Sequence, residues 1–296
     1  MVCVLLVSCG ESSEVRRQRL SKAERLRMAK EDSLALKVGV LPTLDCLPLY
    51  VAKQSNLFET LGADVRLKAY PSQIDCDAAL LKGSIEGNVT DVVRAERMKK
   101  RGTALRYATA TNASWQLISN RLARIHKVDQ MEDKMMAMAR FSATDMLGDL
   151  ALDGVKIKSE NVFRVQINNP NIRLKMLLNN EMDAMLLPEP QATTARLYKN
   201  VVLMDSGQRD LLLGAVVFRE KALKDKRRSK QYEVFLKAYN MACDSINKHG
   251  LKHYSDLIRQ YTSTDERTVN ALPKMRFTHI SKPREKDINA ALKWLK

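Results

Sequence analysis

Hydroxyl and carboxyl side chains stand directly before three of the predicted helices. They fall in three short loops, which carry Thr43, Asp45 and Cys46, then Thr90 and Asp91, and then Ser142, Ala143 and Thr144. At a helix start, unpaired backbone N–H groups and the helix dipole favour anions and polar ligand atoms. The three loops are therefore candidate ligand-binding loops. Helix N-capping is the alternative role for each Ser, Thr or Asp, above all for Asp91 and Ser142.

The sequence contains no convincing catalytic set. His249 and His253 are four residues apart, but Gly250 lies between them and no Glu completes an HExxH motif. The stretch at 75–77, Asp-Cys-Asp, falls on a predicted helix and is interpreted as exposed surface. Cys46 is a candidate nucleophile, but no base can be assigned to it. With no P-loop, GxGxxG or GxSxG motif present, the sequence predicts a protein that is not an enzyme and holds no cofactor or metal.

The elements that must position these loops alternate between strand and helix. Predicted strands at 36–41, 64–70, 86–90 and 105–111 are separated by predicted helices at 47–61, 74–81 and 91–100. A second set has strands at 134–139, 162–167, 182–187 and 201–204, with helices at 144–152, 172–178 and 191–199. A strand at 211–218 and a mostly helical remainder follow. This alternation predicts two α/β lobes built on parallel sheets, with ligand groups at the carboxyl ends of the strands.

The N-terminal residues are typical of a processing signal followed by a tether. Residues 1–7 are apolar, and Leu-Val-Ser-Cys at 6–9 resembles the bacterial lipobox, in which the cysteine, here Cys9, carries lipid. We therefore expect a lipoprotein signal at 1–9 and a charged tether at 10–35. A buried N-terminal strand at 1–7 is the alternative interpretation.

The net charge of +16, from 50 Lys and Arg against 34 Asp and Glu, indicates an anionic partner. Aromatic residues make up only 5% of the chain, and no helix-turn-helix or RNA-binding signature is present. The densest basic run, at 224–230, is interpreted as a solvated helix start. These features argue against nucleic acid as a partner and leave an anionic membrane or a protein at its surface.

Four sequence blocks, in collinear order, carry a family resemblance. They are the segments at 41–65 (LPT, LPLYVAKQSNLFE and LGADV), 82–91 (KGSIEGNVTD), 141–145 (FSATD) and 180–193 (NEMDAMLLPEPQAT). Together they resemble the periplasmic solute-binding proteins of ABC importers in the nitrate, sulfonate, taurine and thiamine-pyrimidine-precursor class. The last block is the most specific of the four.

The resemblance implies the periplasmic binding protein type II fold, with two Rossmann-like lobes joined by a two-strand hinge. Lobe 1 would comprise 36–119 plus 206–296, and lobe 2 would comprise 120–205. The implied function is a monomeric, lipid-anchored substrate-binding component on the periplasmic side of a bacterial membrane, which captures a small polar organic solute by hinge closure and delivers it to an ABC permease. The alternatives are an enzyme on the same fold, of the menaquinone-pathway or pyrimidine-synthesis type, and then a transcription-factor effector domain.

In such a protein the candidate loops would line the cleft between the lobes, together with residues that follow two strands. Asn112, Ser114 and Trp115 follow the fourth strand, and Trp115 either stacks on a planar ligand or belongs to the core. Glu189, held between two prolines, either accepts a hydrogen bond from the ligand or makes a structural contact between the lobes. Asp45, Asp91 and Glu189 together predict an acidic cleft, which favours a nitrogen-bearing ligand such as an aminopyrimidine over sulfonate or nitrate.

Overall fold

The computed structural model describes residues 21–296 as two units, divided between Ala35 and Leu36. The predicted signal, with Cys9, and the first part of the predicted tether lie outside the described residues. In the first unit, Lys22–Leu34 form helix α1, which begins with a capping box. The Glu24 N–H donates to Oγ of Ser21 at 3.2 Å, and the Ser21 N–H donates to Oε2 of Glu24 at 2.8 Å. This part of the tether is therefore a helix.

The second unit contains ten strands and twelve α-helices. The strands are β1 (Leu36–Val40), β2 (Val65–Ala69), β3 (Gly87–Asp91), β4 (Leu105–Ala110), β5 (Trp115–Ser119), β6 (Met135–Met138), β7 (Phe163–Gln166), β8 (Ala184–Pro188), β9 (Val201–Asp205) and β10 (Gly214–Arg219). The helices are α2 (Leu47–Gln54), α3 (Leu57–Thr60), α4 (Gln73–Lys82), α5 (Val92–Lys100), α6 (Ala143–Asp153), α7 (Pro170–Leu178), α8 (Gln191–Leu197), α9 (Glu220–Leu223), α10 (Lys226–His249), α11 (Ser255–Thr262), α12 (Glu266–Asn270) and α13 (Glu285–Trp294).

Two mixed sheets organise the second unit. The first has the strand order β2-β1-β3-β10-β4, and the second has the order β7-β6-β8-β5-β9. Strands β1 and β6 run parallel to both of their neighbours, but β10 and β5 run antiparallel to both of theirs. The prediction of purely parallel sheets is therefore wrong. Strands β5 and β10 each enter directly from the other sheet without a crossover helix, which allows antiparallel pairing. We call the chain around the first sheet lobe 1 and the chain around the second sheet lobe 2.

The chain passes between the lobes along two adjacent segments, at 111–114 and 206–213. The Thr111 N–H donates to the Gly214 carbonyl at 2.9 Å, and the Ser206 N–H donates to the Trp115 carbonyl at 3.0 Å. The first crossing was predicted near 119–120, which placed 115–119 in lobe 1. The structure corrects this position, because Trp115–Ser119 pair with β8 and β9 in the second sheet. The second change of sheet falls after Asp205, near the predicted 205–206.

Aromatic and aliphatic side chains fill the core of lobe 1. Helix α10 contributes Phe235 and Tyr239, both fully buried, and the Phe235 ring meets Phe218 of β10 edge to face at 5.1 Å. The predicted helix at 47–61 is broken into α2 and α3, because Asn56 adopts a left-handed conformation with φ 52°. Asn is one of the few residues that tolerate this geometry.

Candidate functional site

A cavity of about 40 Å³ lies between the two lobes. Its walls come from the ends of strands in both sheets and from the helices that follow them. Seven of the predicted site residues line it, namely Thr43, Asp45, Thr90, Asp91, Trp115, Ser142 and Thr144. These seven sequence-based candidates therefore converge on one place.

The carboxylate of Asp45 is held by two hydroxyls. Oγ1 of Thr43 donates to one oxygen at 2.6 Å, and Oγ1 of Thr111, from the first crossing segment, donates to the other at 2.9 Å. Burial raises the pKa of the Asp45 carboxyl above its ordinary value. Both oxygens of the Asp45 carboxyl group therefore already have donors within the protein.

Asp91 caps helix α5 by accepting the Arg94 N–H at 2.9 Å. Burial raises the pKa of Asp91 to about 6, although the nearby Arg94 guanidinium opposes this shift. Nη1 of Arg94 also lies 3.0 Å from Asp77, which in turn accepts a hydrogen bond from Asn88 at 2.8 Å. The interpretation of 75–77 as exposed surface is thus wrong for Cys76 and Asp77, which are both buried, and Asp77 faces β3.

The start of helix α6 uses its own hydroxyls. Oγ of Ser142 accepts the Thr144 N–H at 3.1 Å and donates to the Ala139 carbonyl at 2.6 Å. Oγ1 of Thr144 accepts the Ala139 N–H at 3.0 Å. These side chains serve as caps and still line the cavity.

Arg173 is the charged group of the cavity that the sequence analysis missed. Asn169 caps helix α7, Pro170 occupies its first turn, and Arg173 follows on the face that lines the cavity. The Arg173 side chain is buried, and its Nε and Nη1 atoms have no hydrogen-bond partner. Burial, reinforced by the charge of Arg94, lowers its pKa to about 10. Arg173 therefore remains a cation at neutral pH, with donors aimed at no acceptor in the part of the chain that the structure describes.

Three helices of nine to eleven residues begin at the cavity wall: α5, α6 and α7. Their positive ends add to the charge of Arg173. The wall also includes Gln73, whose Nε2 donates to Oγ1 of Thr90 at 2.8 Å, and Asn168, which directly precedes the cap of α7. The paired Asn residues before a Pro mark this helix start in the sequence, but no local pattern shows which way Arg173 points.

The remaining predicted site residues do not line the cavity; they are Cys46, Asn112, Ser114, Ala143 and Glu189. The Cys46 thiol is fully buried, and burial raises its pKa well above the ordinary value, which disfavours a reactive thiolate. The Asn112 amide binds the backbone of the segment beyond α12, by donating to the Arg276 carbonyl at 2.7 Å. Ala143 is buried at the start of α6, and Ser114 is half-buried in the first crossing segment.

Glu189 binds within lobe 2 and its backbone reaches lobe 1. Its Oε2 accepts a hydrogen bond from Oγ1 of Thr193 at 2.7 Å, and its Oε1 lies 2.9 Å from Nη2 of Arg196. The Glu189 carbonyl accepts the Leu44 N–H of lobe 1 at 2.8 Å. This geometry matches the structural interlobe contact that the sequence analysis left open.

Neither a metal-ligand cluster nor a membrane-spanning helix is found in the described part of the chain. Within residues 21–296, no group of three or more His, Cys, Asp or Glu side chains is arranged to hold a metal ion. No helix in the same range is long and apolar enough to cross a membrane.

No protein-family model matches the sequence, and no curated protein matches it. Solved structures, in contrast, show clear similarity. The ligand-binding component of an ABC-type import system from Staphylococcus aureus, with zinc bound, aligns with a TM-score of 0.74 and 16% identity, over 88% of this chain and 91% of that one. The alkanesulfonate-binding protein SsuA from Xanthomonas axonopodis pv. citri, bound to MOPS, aligns with a TM-score of 0.73 and 15% identity, over 88% and 90%.

The nitrate-binding protein NrtA from Synechocystis PCC 6803 aligns with a TM-score of 0.66 and 16% identity, over 78% of this chain and 66% of that one. At these identities the comparisons show the fold, which is that of the periplasmic solute-binding proteins of ABC importers. The predicted α/β class with two lobes, and the resemblance that led to it, are confirmed at this level.

Proposed function

We propose that the chain is the substrate-binding component of an ABC importer and captures a small polar organic solute between its lobes. The main support is the interlobe cavity with a buried cation in its wall, Arg173, whose Nε and Nη1 atoms have no partner. An isolated buried charge is costly, so a site that keeps one is prepared for a counter-charge. Solved structures that align with this chain over about nine tenths of their own length include binding proteins of import systems, which supports the same role.

Direct contacts across the cleft support capture by hinge closure. Nε2 of Gln191, from lobe 2, donates to the Pro42 carbonyl of lobe 1 at 2.9 Å, beside the Leu44–Glu189 backbone bond at 2.8 Å. These bonds link the two lobes next to residues that line the cavity, and the two crossing segments at 111–114 and 206–213 would act as the hinge.

We propose that the solute carries a compact anionic group, with its oxygens directed at Arg173. The predicted nitrogen-bearing ligand loses its main argument, because Asp91 and Glu189 lie beside the guanidinium groups of Arg94 and Arg196 and burial raises the pKa of Asp45. A cavity of about 40 Å³ holds only a few water-sized groups, since one water needs about 10–15 Å³. The proposed ligand is therefore small, and an aminopyrimidine stays in the test as the competing class.

The proposal is tested by the rise in Tm that a ligand specific for the folded state produces. Methanesulfonate, nitrate, inorganic phosphate, a primary amine and an aminopyrimidine would each be added to the purified protein. We expect at least one of the three anions to raise Tm and the amine to leave it unchanged. The Arg173→Gln variant should lose the shift, whereas Arg121→Gln, at an exposed position, should keep it. A shift with the aminopyrimidine alone, or with no compound, would contradict the anionic class.

We also propose that the protein is held at the periplasmic face of a bacterial membrane by lipid on Cys9, where it acts as a monomer beside its permease. The lipobox-like residues before Cys9 and the charged tether, part of which forms α1, support this arrangement. Acyl chains supply roughly 0.8 kcal/mol of anchoring energy per buried CH2. Labelled palmitate should enter the wild type and not a Cys9→Ala variant in a bacterial host. A wild-type protein without label would refute the anchor and leave the binding role untouched.

A further inference from the structure

A second interlobe groove, of about 320 Å³, lies outside the cavity. Lobe 1 contributes α4 and α5, and lobe 2 contributes the loop after β6 and the end of β7. We call it the arginine groove, because Arg97, Arg101 and Arg140 line it. Its volume is in the range of pockets that hold small organic molecules.

In the described part of the chain, none of these three arginines forms an ion pair with a carboxylate. The acid in the groove wall, Asp77, is already bound to Arg94 at 3.0 Å and to Asn88 at 2.8 Å. Burial and the neighbouring charge of Arg101 lower the pKa of Arg97, which shows that like charges are held close together there. The groove therefore has an unbalanced positive charge.

The same groove exposes apolar surface beside the charges. Ile74, Leu81 and Phe141 line it and are 41%, 53% and 44% exposed. The Arg97 guanidinium of lobe 1 lies 4.0 Å from the ring centre of Phe141 in lobe 2. Phe141 has a left-handed φ of 54°, an uncommon geometry for an aromatic residue, and its N–H donates to Oδ2 of Asp145 at 2.8 Å. The structure thus holds this ring at the groove in a strained conformation.

We propose that the arginine groove is a second binding site, separate from the cavity, for an organic anion with an apolar body. The guanidinium groups of both lobes pair with its phosphate, sulfonate or carboxylate oxygens, and Phe141, Ile74 and Leu81 contact its apolar part. Arg97 and Arg101 contribute from lobe 1 and Arg140 from lobe 2. Binding therefore uses groups that only the arrangement of both lobes brings together.

Titration calorimetry at low ionic strength with phenyl phosphate as the probe tests this site, with inorganic phosphate and benzyl alcohol for comparison. Phenyl phosphate should bind at least tenfold more tightly than either. The Arg97→Gln/Arg101→Gln variant and the single Arg140→Gln variant should each weaken its binding about tenfold or more. Arg106→Gln/Arg121→Gln removes two exposed charges elsewhere and should leave it unchanged.

The Arg173→Met variant separates the groove from the cavity, because it alters the cavity alone. Phenyl phosphate should bind this variant as it binds the wild type. If Arg173→Met abolishes binding while the groove variants do not, the probe occupies the cavity and the proposal is overturned. It is also overturned if the wild type does not bind phenyl phosphate, or if inorganic phosphate binds equally well. If Arg140→Gln retains binding, the proposed contribution of lobe 2 to this site is refuted.

Discussion

Nη1 of Arg94 lies 3.0 Å from Oδ2 of Asp77, and both side chains are buried at the wall of the arginine groove. Arg173, close enough for the charge of Arg94 to lower its pKa, is buried equally well but binds no carboxylate. Two arginines of the same burial thus stand in opposite electrostatic situations. Arg94 has a carboxylate partner at hydrogen-bond distance, and Arg173 has none among the described residues.

This contrast predicts opposite effects of the same substitution. A pKa lowered from 12.5 to about 10 corresponds to a cost of about 3 kcal/mol for charged Arg173. Arg173→Met should therefore raise the free energy of unfolding of the ligand-free protein by about 1–3 kcal/mol. Arg94→Met leaves Asp77 as an unpaired buried charge and should lower it by about 3–5 kcal/mol. Urea unfolding at neutral pH measures both, and a loss of stability in Arg173→Met would contradict the assignment.

Asp91 predicts a pH dependence with a definite sign. Its pKa is raised from 3.8 to about 6 by burial, so the folded state favours the protonated form. The stabilising contribution is present at low pH and is lost as pH rises from about 4 to about 6. Asp91→Asn retains the capping oxygen and removes this titration. Relative to Asp91→Asn, the wild type should lose about 3 kcal/mol of unfolding free energy between pH 4 and pH 7.

Asp225→Asn is the matched control for this pH experiment. Asp225 also caps a helix, α10, and accepts the Arg228 N–H at 2.9 Å. It is exposed, and the hydrogen bond from Arg228 lowers its pKa, so it is ionised in both folded and unfolded states above pH 5. The difference between the wild type and Asp225→Asn should therefore stay constant from pH 5 to pH 7. A constant difference for Asp91→Asn as well would show that Asp91 ionises normally.

Most strands and helices could be predicted from the sequence, because Gly and cap residues mark helix ends locally. Seven of the candidate residues chosen at those helix starts and strand ends line one cavity in the structure. Gly83, for example, follows α4 with φ 81°, a position that favours glycine. Arg173 and Asp77 could not be predicted in the same way. Their burial depends on packing between elements distant in the chain, since α7 closes on the other lobe and α4 packs on β3. Trp115 was predicted to follow the fourth strand, but it already begins β5, because the crossing at 111–114 takes only four residues.

Thr111 links the first crossing segment to the first candidate ligand loop by a hydrogen bond, and removing its hydroxyl should show how much this bond stabilises the protein. Thr111→Val deletes the donor that lies 2.9 Å from Oδ2 of Asp45. A buried carboxyl group without this donor should cost about 1–3 kcal/mol of unfolding free energy. Urea unfolding measures this loss. Thr103→Val, at a half-buried position outside the cavity wall, should change stability little; equal losses in the two variants would count against the link.

Gly214 begins β10 where the chain re-enters lobe 1, and its lack of a side chain allows the two crossing segments to approach. A Cβ at this position would lie 2.2 Å from Oγ1 of Thr111 and 2.5 Å from Cβ of Ala113. Because both are short side chains next to backbone, Gly214→Ala must push the segments apart. We expect a loss of about 1–3 kcal/mol in unfolding free energy, with weaker binding of any ligand that raises Tm in the wild type. Gly154→Ala, whose new Cβ would have no contact under 3.4 Å, should stay within about 0.5 kcal/mol of the wild type. If Gly214→Ala matches this control in both stability and binding, the prediction is wrong, and neither property depends on the close approach of the crossing segments.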